Sequence, residues 1–220
     1  MREVGAAARG KSHDFRYNDR GEVGLVTVVM TVFETWALFP RALECVLSQS
    51  EREWELLVVS DGPCDASVHA AIRSTRARWR GRRVEVCETE RADGCWGNRG
   101  RALGLALARG ERIVWVNHDN LIAPEYLATH VALDARRPGC VGVVEIELWQ
   151  RGRYRGRYPR GYRTSRIDLL NYSLPVGLAR EIDAFGPGME REYAADGRVF
   201  EEAARRAGVE RALVCLGVHF

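Results

Sequence analysis

Leu25-Val26-Thr27-Val28-Val29-Met30 decides the fold of this chain. The run is dominated by β-branched residues and shows no polar–apolar alternation, so it predicts a strand buried on both faces. The next hundred residues repeat the theme. Leu38, Ala42, Leu43, Val46 and Leu47 recur at helical spacing, and Trp54 to Val59 is a second strand, ended by Ser60-Asp61-Gly62-Pro63. Ala66 to Trp79 reads as a helix and Val84 to Cys87 as a third strand. Arg99 to Ala108 reads as a helix with Gly110 as its cap. Ile113 to Val116 is a fourth strand, and Pro124 to Asp134 a fourth helix. Four alternations with short connections predict an α/β domain with a mostly parallel sheet, Rossmann-like, covered by helices on both faces.

The second half is less regular. Val141 to Leu148 reads as a strand and Gln150 to Arg166 as a polar arginine–tyrosine segment. Glu190 to Ala207 reads as helix interrupted near Gly197, and Ala212 to Val218 as a last strand. Residues 1–22 read as a loosely ordered leader and 23–220 as one domain. Within it, the regular half is 23–135 and the irregular half 136–220.

Composition narrows the class. Among 220 residues 46% are hydrophobic, enough for a core, and the net charge is only +3, which argues against a dedicated nucleic-acid protein. There are 32 arginines against the single Lys11, within the 33 basic residues. Genomic base composition explains that bias best; arginine's planar fork for phosphate is the functional alternative. None of the six cysteines has C-x-x-C or zinc spacing, which fits a reducing cytoplasm. No stretch reaches membrane-spanning length.

In parallel sheets ligands bind at the carboxyl ends of the strands. Those ends are Thr31-Val32-Phe33-Glu34, Ser60-Asp61-Gly62 and Asn117-His118-Asp119-Asn120. Two carboxylates at equivalent ends, Asp61 and Asp119, need a cation or a donor group beside them. One alone would read as a turn or helix cap.

The order and spacing of these blocks resemble family 2 glycosyltransferases, which have the GT-A fold. Thr31 is followed by Arg41-Ala42-Leu43-Glu44-Cys45-Val46-Leu47-Ser48-Gln49 and by Val58-Val59-Ser60-Asp61-Gly62-Pro63. Then come Gly100-Arg101-Ala102-Leu103-Gly104 and Asn117-His118-Asp119-Asn120. The resemblance covers about residues 25 to 135 well and the rest weakly. It implies an enzyme that moves a sugar from a nucleoside-diphosphate sugar, UDP-linked by preference, to an acceptor hydroxyl with inversion. Thr31 and Asp61 would hold the nucleoside and Arg101 the diphosphate. With Val32, Glu34, Asn117 and His118 these make the expected donor set, although strand alternation turns His118 away from the crevice. Asp119 would hold Mn²⁺ or Mg²⁺, with His219 as a further ligand set against the tendency of chain ends to fray. Asp196 would be the catalytic base, with a turn or N-cap aspartate as the plain alternative.

Three positions depart from the family pattern: Asn117 and Ser60 each replace an aspartate, and Ala102 replaces an asparagine. Asn117 brings no charge to a metal, so a nucleotide-binding protein without catalysis is the first rival. A sugar-nucleotide nucleotidyltransferase is the second, but no glycine-rich loop follows the first strand. A nucleic-acid module built on residues 151–166 is the third. For that segment a solvated flap ranks first and an anionic acceptor second; it also leaves a homodimer open. Trp36 and Trp96 fall in crevice loops, where plain loop packing outranks stacking on a sugar or base.

Overall fold

The computed structural model describes residues 24–33, 36–90, 92, 94–159, 161–164, 166–189 and 191–219. The leader and Glu34 lie outside the described residues, as does the side chain of Trp36.

Among the described residues nine strands form one sheet. They are β1 (Val26–Val32), β2 (Trp54–Ser60), β3 (Val84–Glu88), β4 (Arg112–Asn117), β5 (Leu121–Ile122), β6 (Val141–Gln150), β7 (Arg153–Tyr158), β8 (Tyr172–Pro175) and β9 (Val209–His219). The order is β3-β2-β1-β4-β8-β6-β9-β5, with β7 paired to β6. From β3 to β4 every pair is parallel. Beyond β4 the sheet is mixed: β8 runs antiparallel to β4 and β6, while β9 runs parallel to β6.

Among the described residues six α-helices cover it: α1 (Phe39–Leu47), α2 (Ala66–Thr75), α3 (Asn98–Leu107), α4 (Tyr126–Arg136), α5 (Val176–Glu181) and α6 (Ala195–Ala207). The sheet divides the core in two. Val28, Met30 and Val58 pack with Phe39 and Leu43 of α1, Val68 of α2 and Leu127 of α4. Val29, Val59 and Trp115 pack with Leu105 of α3, Ala179 of α5 and Val199 and Phe200 of α6. This is the period-two alternation of a strand with apolar residues on both faces.

One buried charge ties the parallel half together. Glu55 on β2 accepts from Thr27 Oγ1 at 2.6 Å and from the amides of Arg109 and Gly110 at 2.6 and 3.2 Å. Arg83 supplies the opposite charge at 2.8 Å. A charge this deep persists because its oxygens are satisfied.

Two glycines behave differently from the sequence expectation. Gly110 is not the cap of α3, which ends at Leu107 with Ala108 at its cap. A side chain at Gly110 would collide with the Leu25 carbonyl, so close backbone approach explains it. Nor does Gly197 interrupt the late helix. It lies inside α6, where a Cβ would stand 2.7 Å from Thr164 Cα. The helix runs unbroken from Ala195, and turns occupy the residues before it. The arginine–tyrosine segment supplies, up to Tyr158, the turn at Arg151 and Gly152, both with positive φ, and strand β7 of the β6–β7 hairpin. Arg153, Arg155 and Arg157 on it are exposed.

Candidate functional site

The site assembles where β1 and β4 end side by side. Their parallel register sets Thr31 opposite Asn117, and the Thr31 hydroxyl donates to Asn117 Oδ1 at 2.8 Å. On the other side of β1, Ser60 lies opposite Val32, so Asp61 emerges just beyond the strand. Its amide donates to the Val32 carbonyl at 3.0 Å, and its Oδ2 accepts from the Gly94 amide at 3.1 Å. Asp61 and Asp119 therefore share one edge of the sheet, with β1 between their strands.

Helix α3 points its first turn at this crevice. It starts after Gly97, which has φ of 75°, and Gly97 and Gly100 let the turn settle against Thr31. The positive end of a helix dipole favours an anion there. Arg101 adds a full positive charge. Its guanidinium donates to Asn98 Oδ1 at 2.6 Å and to Asn117 Oδ1 at 3.3 Å, and it stands 5.5 Å from the centre of the Phe185 ring. Burial lowers its pKa, against the opposing pull of Asp196, Asp168 and Asp119. Asn98 is fully buried and its amide donates at 3.0 Å to the carbonyls of both Met189 and Glu192. It thus laces α3 to the segment that leads into α6.

Asp119 follows β4, and its Oδ1 is buried with no hydrogen-bond partner. An anionic oxygen left in that condition suits a cation. His219 arrives from β9. Leu121 pairs with Val218 and Leu148 with His219, so the end of β9 is held on both sides. His219 Nδ1 lies 2.9 Å from Asp168 Oδ2. Burial alone would lower the imidazole pKa, but the bond to Asp168 and the charges of Asp168, Asp119 and Asp196 outweigh it, and the pKa is raised. Donors of this kind, one carboxylate and one imidazole beside further acids, fit Mn²⁺ better than Mg²⁺.

Asp196 occupies the first turn of α6, and its Oδ1 accepts from the Gly197 amide at 2.8 Å. Burial first, and then the charge of Asp168, raise its pKa to about 6. Burial acts the same way on Asp168, but the His219 bond, the His219 charge, the Leu170 amide and Arg101 hold its pKa down. Two neighbouring carboxylates are thereby driven apart, one ionised and one able to exchange a proton near neutrality.

Of the residues expected from sequence, Thr31, Arg101, Asn117, Asp119, Asp196 and His219 form one connected cluster. Val32 is buried in β1. His118 is buried as well, with Nδ1 3.3 Å from the Thr31 carbonyl. Asp168 and Asn98 are site residues that the sequence reading misses. The one trace of Asp168 is its spacing to Asn171, which proves to be a capping box on a short 3-10 turn. Trp96 is exposed with φ of 54°, and its ring meets Tyr193 edge-on at 5.0 Å. Elsewhere Cys64, His69 and Glu88 bring potential ligand atoms within 4.8 Å of one another. His69 and Glu88 there already form a partly exposed ion pair at 2.9 Å.

No helix among the described residues is long and apolar enough to cross a membrane. The fold is similar to S. aureus TarS 1-349, with a TM-score of 0.71 and 17% identity over 88% of this chain and 60% of that one. It is also similar to that protein in complex with UDP-GlcNAc, with a TM-score of 0.73 and 16% identity over 89% of this chain and 58% of the other. The mannosyltransferase PcManGT from Pyrobaculum calidifontis, in complex with GDP-Man and Mn²⁺, gives 0.68 and 18% over 91% and 58%. An uncharacterized protein, y4gI of Sinorhizobium fredii (strain NBRC 101917 / NGR234), is 27% identical over 175 residues. That match takes in 76% of this chain and 19% of the relative. The chain therefore spans about three-fifths of those solved structures and a fifth of that relative. The family model described as glycosyl transferase family 2 matches residues 27–180, most of the sheet and the crevice, and on that match the chain belongs to glycosyltransferase family 2.

Proposed function

We propose that this chain transfers a sugar from a nucleoside-diphosphate sugar, UDP-linked by preference, to an acceptor hydroxyl, with inversion at the anomeric carbon. One observation carries the reading: Arg101, bonded to Asn117 at the end of β4, and His219 each feel the charges of Asp119 and Asp196, and Asp119 keeps a buried oxygen without a partner. TarS has been solved with UDP-GlcNAc and the mannosyltransferase with GDP-Man and Mn²⁺, which supports the donor class.

Each residue then has a defined task. Asp61 and Thr31 receive the nucleoside. Arg101, on the first turn of α3, receives the diphosphate, where a planar cation is apt. Asp119 and His219 would hold Mn²⁺ or Mg²⁺, which when bound offsets charge on the departing diphosphate. Asp196 takes the proton of the acceptor hydroxyl as its oxygen bonds the anomeric carbon and the bond to the diphosphate breaks. The acceptor is met by the half formed from residues 136–220.

Asn117 favours a second reading, a donor-binding protein without turnover. Its Oδ1 already accepts from Thr31 and Arg101, so it adds no charge to a metal and its oxygen is engaged. Calorimetric titration with UDP, GDP and dTDP, each with Mn²⁺ and with a chelator, tests the first reading. Selective, metal-dependent binding of one nucleotide is expected, and Asp119→Ala should abolish the metal dependence while the melting curve stays put. No binding to any of the three would remove the donor site; binding without transfer across an acceptor screen would favour the second reading.

A further inference from the structure

We infer that Asp168 is the positioning residue of the metal-binding imidazole: it fixes the ring of His219 so that Nε2 presents its lone pair to the cation shared with Asp119. The inference rests on the metal role of Asp119 and His219 in the proposed function.

The geometry argues for it at both ends of the bond. At 2.9 Å, His219 Nδ1 and Asp168 Oδ2 are within hydrogen-bond reach, and a carboxylate can only accept. The proton of a neutral imidazole therefore sits on Nδ1, and Nε2 is left as the free ligand atom. Asp168 is itself immobilised. Its Oδ1 accepts from the Leu170 amide at 2.9 Å, and its own amide donates to Asn171 Oδ1 at 2.9 Å. Asn171 is fully buried and donates to the carbonyls of Val144 and Tyr158, both at 2.9 Å. Asp168 thus spends one oxygen on the backbone and one on the imidazole. The other end is anchored too, since β9 is paired to β5 and β6 up to His219. A ring gripped this way has one orientation, and a metal ligand's second ring nitrogen is the usual place for such a partner.

Asp168 is therefore not a ligand, and it is not the base, whose place is Asp196. Three variants separate these roles experimentally. Asp168→Ala removes the grip. Asp168→Asn keeps a cap and an acceptor for Nδ1–H but no charge. His219→Ala removes what is gripped.

The test is Mn²⁺ binding in the presence of UDP, followed by loss of the free-ion electron paramagnetic resonance signal. Asp168→Ala and His219→Ala should each weaken binding about tenfold to a hundredfold, while Asp168→Asn recovers most of the loss. The decisive sample is the double variant, which should bind no more weakly than His219→Ala alone, because nothing remains to position. Losses that multiply would make Asp168 a ligand in its own right or a purely structural residue, and would overturn the inference. So would unchanged binding in Asp168→Ala. If His219→Ala binds as the wild type does, the imidazole is no ligand and the inference falls with that assignment, leaving the nucleoside site of Asp61 intact. Absence of Mn²⁺ binding in the wild type overturns the inference together with the metal part of the proposed function.

Discussion

At the scale of single residues, Asp196 sets chemistry against stability. Its pKa of about 6 lies above that of an unfolded aspartate, so the folded state favours the protonated form. The stability that proton supplies is fully present below the unfolded value and is lost as pH rises through about 6. Asp196→Asn should therefore melt at a higher temperature than the wild type at pH 7 to 8, by about 1–3 kcal/mol of stability. The same variant should keep donor affinity and lose about 10²- to 10⁴-fold in transfer. Wild-type transfer should fall on the acid side of about pH 6, as the base takes up its proton. A variant that transfers sugar at the wild-type rate would place the base elsewhere. Asp168 acts with the opposite sign: its pKa is lowered, so its contribution is present above the unfolded value and fades as pH falls through the folded one. Only the capping-box spacing to Asn171 marks this residue in the sequence. Its importance comes from meeting a histidine 51 positions away, a contact that only the folded sheet creates.

At the scale of elements, the approach of α3 to β1 positions the crevice at the strand ends. Gly104 is the contact point, where any Cβ would run into the side chain of Val29. Gly104→Ala gains about 1 kcal/mol of helix propensity and is expected to cost more through overpacking, about 1–3 kcal/mol. A net fall in the urea midpoint is the expected result, together with weaker nucleotide binding, because α3 also carries Arg101. A raised midpoint with unchanged binding would mean that the helix can slide without disturbing the site. Elements of this half are readable in the sequence because β1, β2 and β4 are buried throughout almost their whole length and so appear as mostly apolar runs. The later elements lack that signature. Strand β8 has four residues, α5 has six, and β9 alternates without a consistent period because its middle bulges away from β6. The two short elements never reach a length at which periodicity can be recognised, and the long one interrupts its own.

At the scale of the whole molecule, Glu55 links segments far apart in sequence: β1 through Thr27, the α3–β4 connection through Arg109 and Gly110, and Arg83 ahead of β3. Burial raises its pKa, but hydrogen bonds from Thr27, the Arg109 amide and Arg83 outweigh that effect, and the net shift is downward. Its contribution is thus present above the unfolded carboxylate value and lost as the solution is acidified below it. Glu55→Ala should destabilise the protein by about 3–5 kcal/mol at pH 7, with a smaller difference near pH 3. Equal losses at both values would show that packing, and not charge, is what Glu55 provides.

The division of the core by the sheet carries a further consequence. Arg101 and Asn98 sit on α3 and Asp196 on α6, and both helices pack on one face. The opposite face, under α1, α2 and α4, is built from side chains such as Phe39, Leu43 and Leu127. Mutational drift should therefore be lopsided. Descendants of this sequence can rework the α1–α2–α4 side at the expense of stability alone, one tolerable change after another. On the other side every exchange is screened twice, once by folding and once by the candidate site, so that face should hold the older record of whatever the crevice receives.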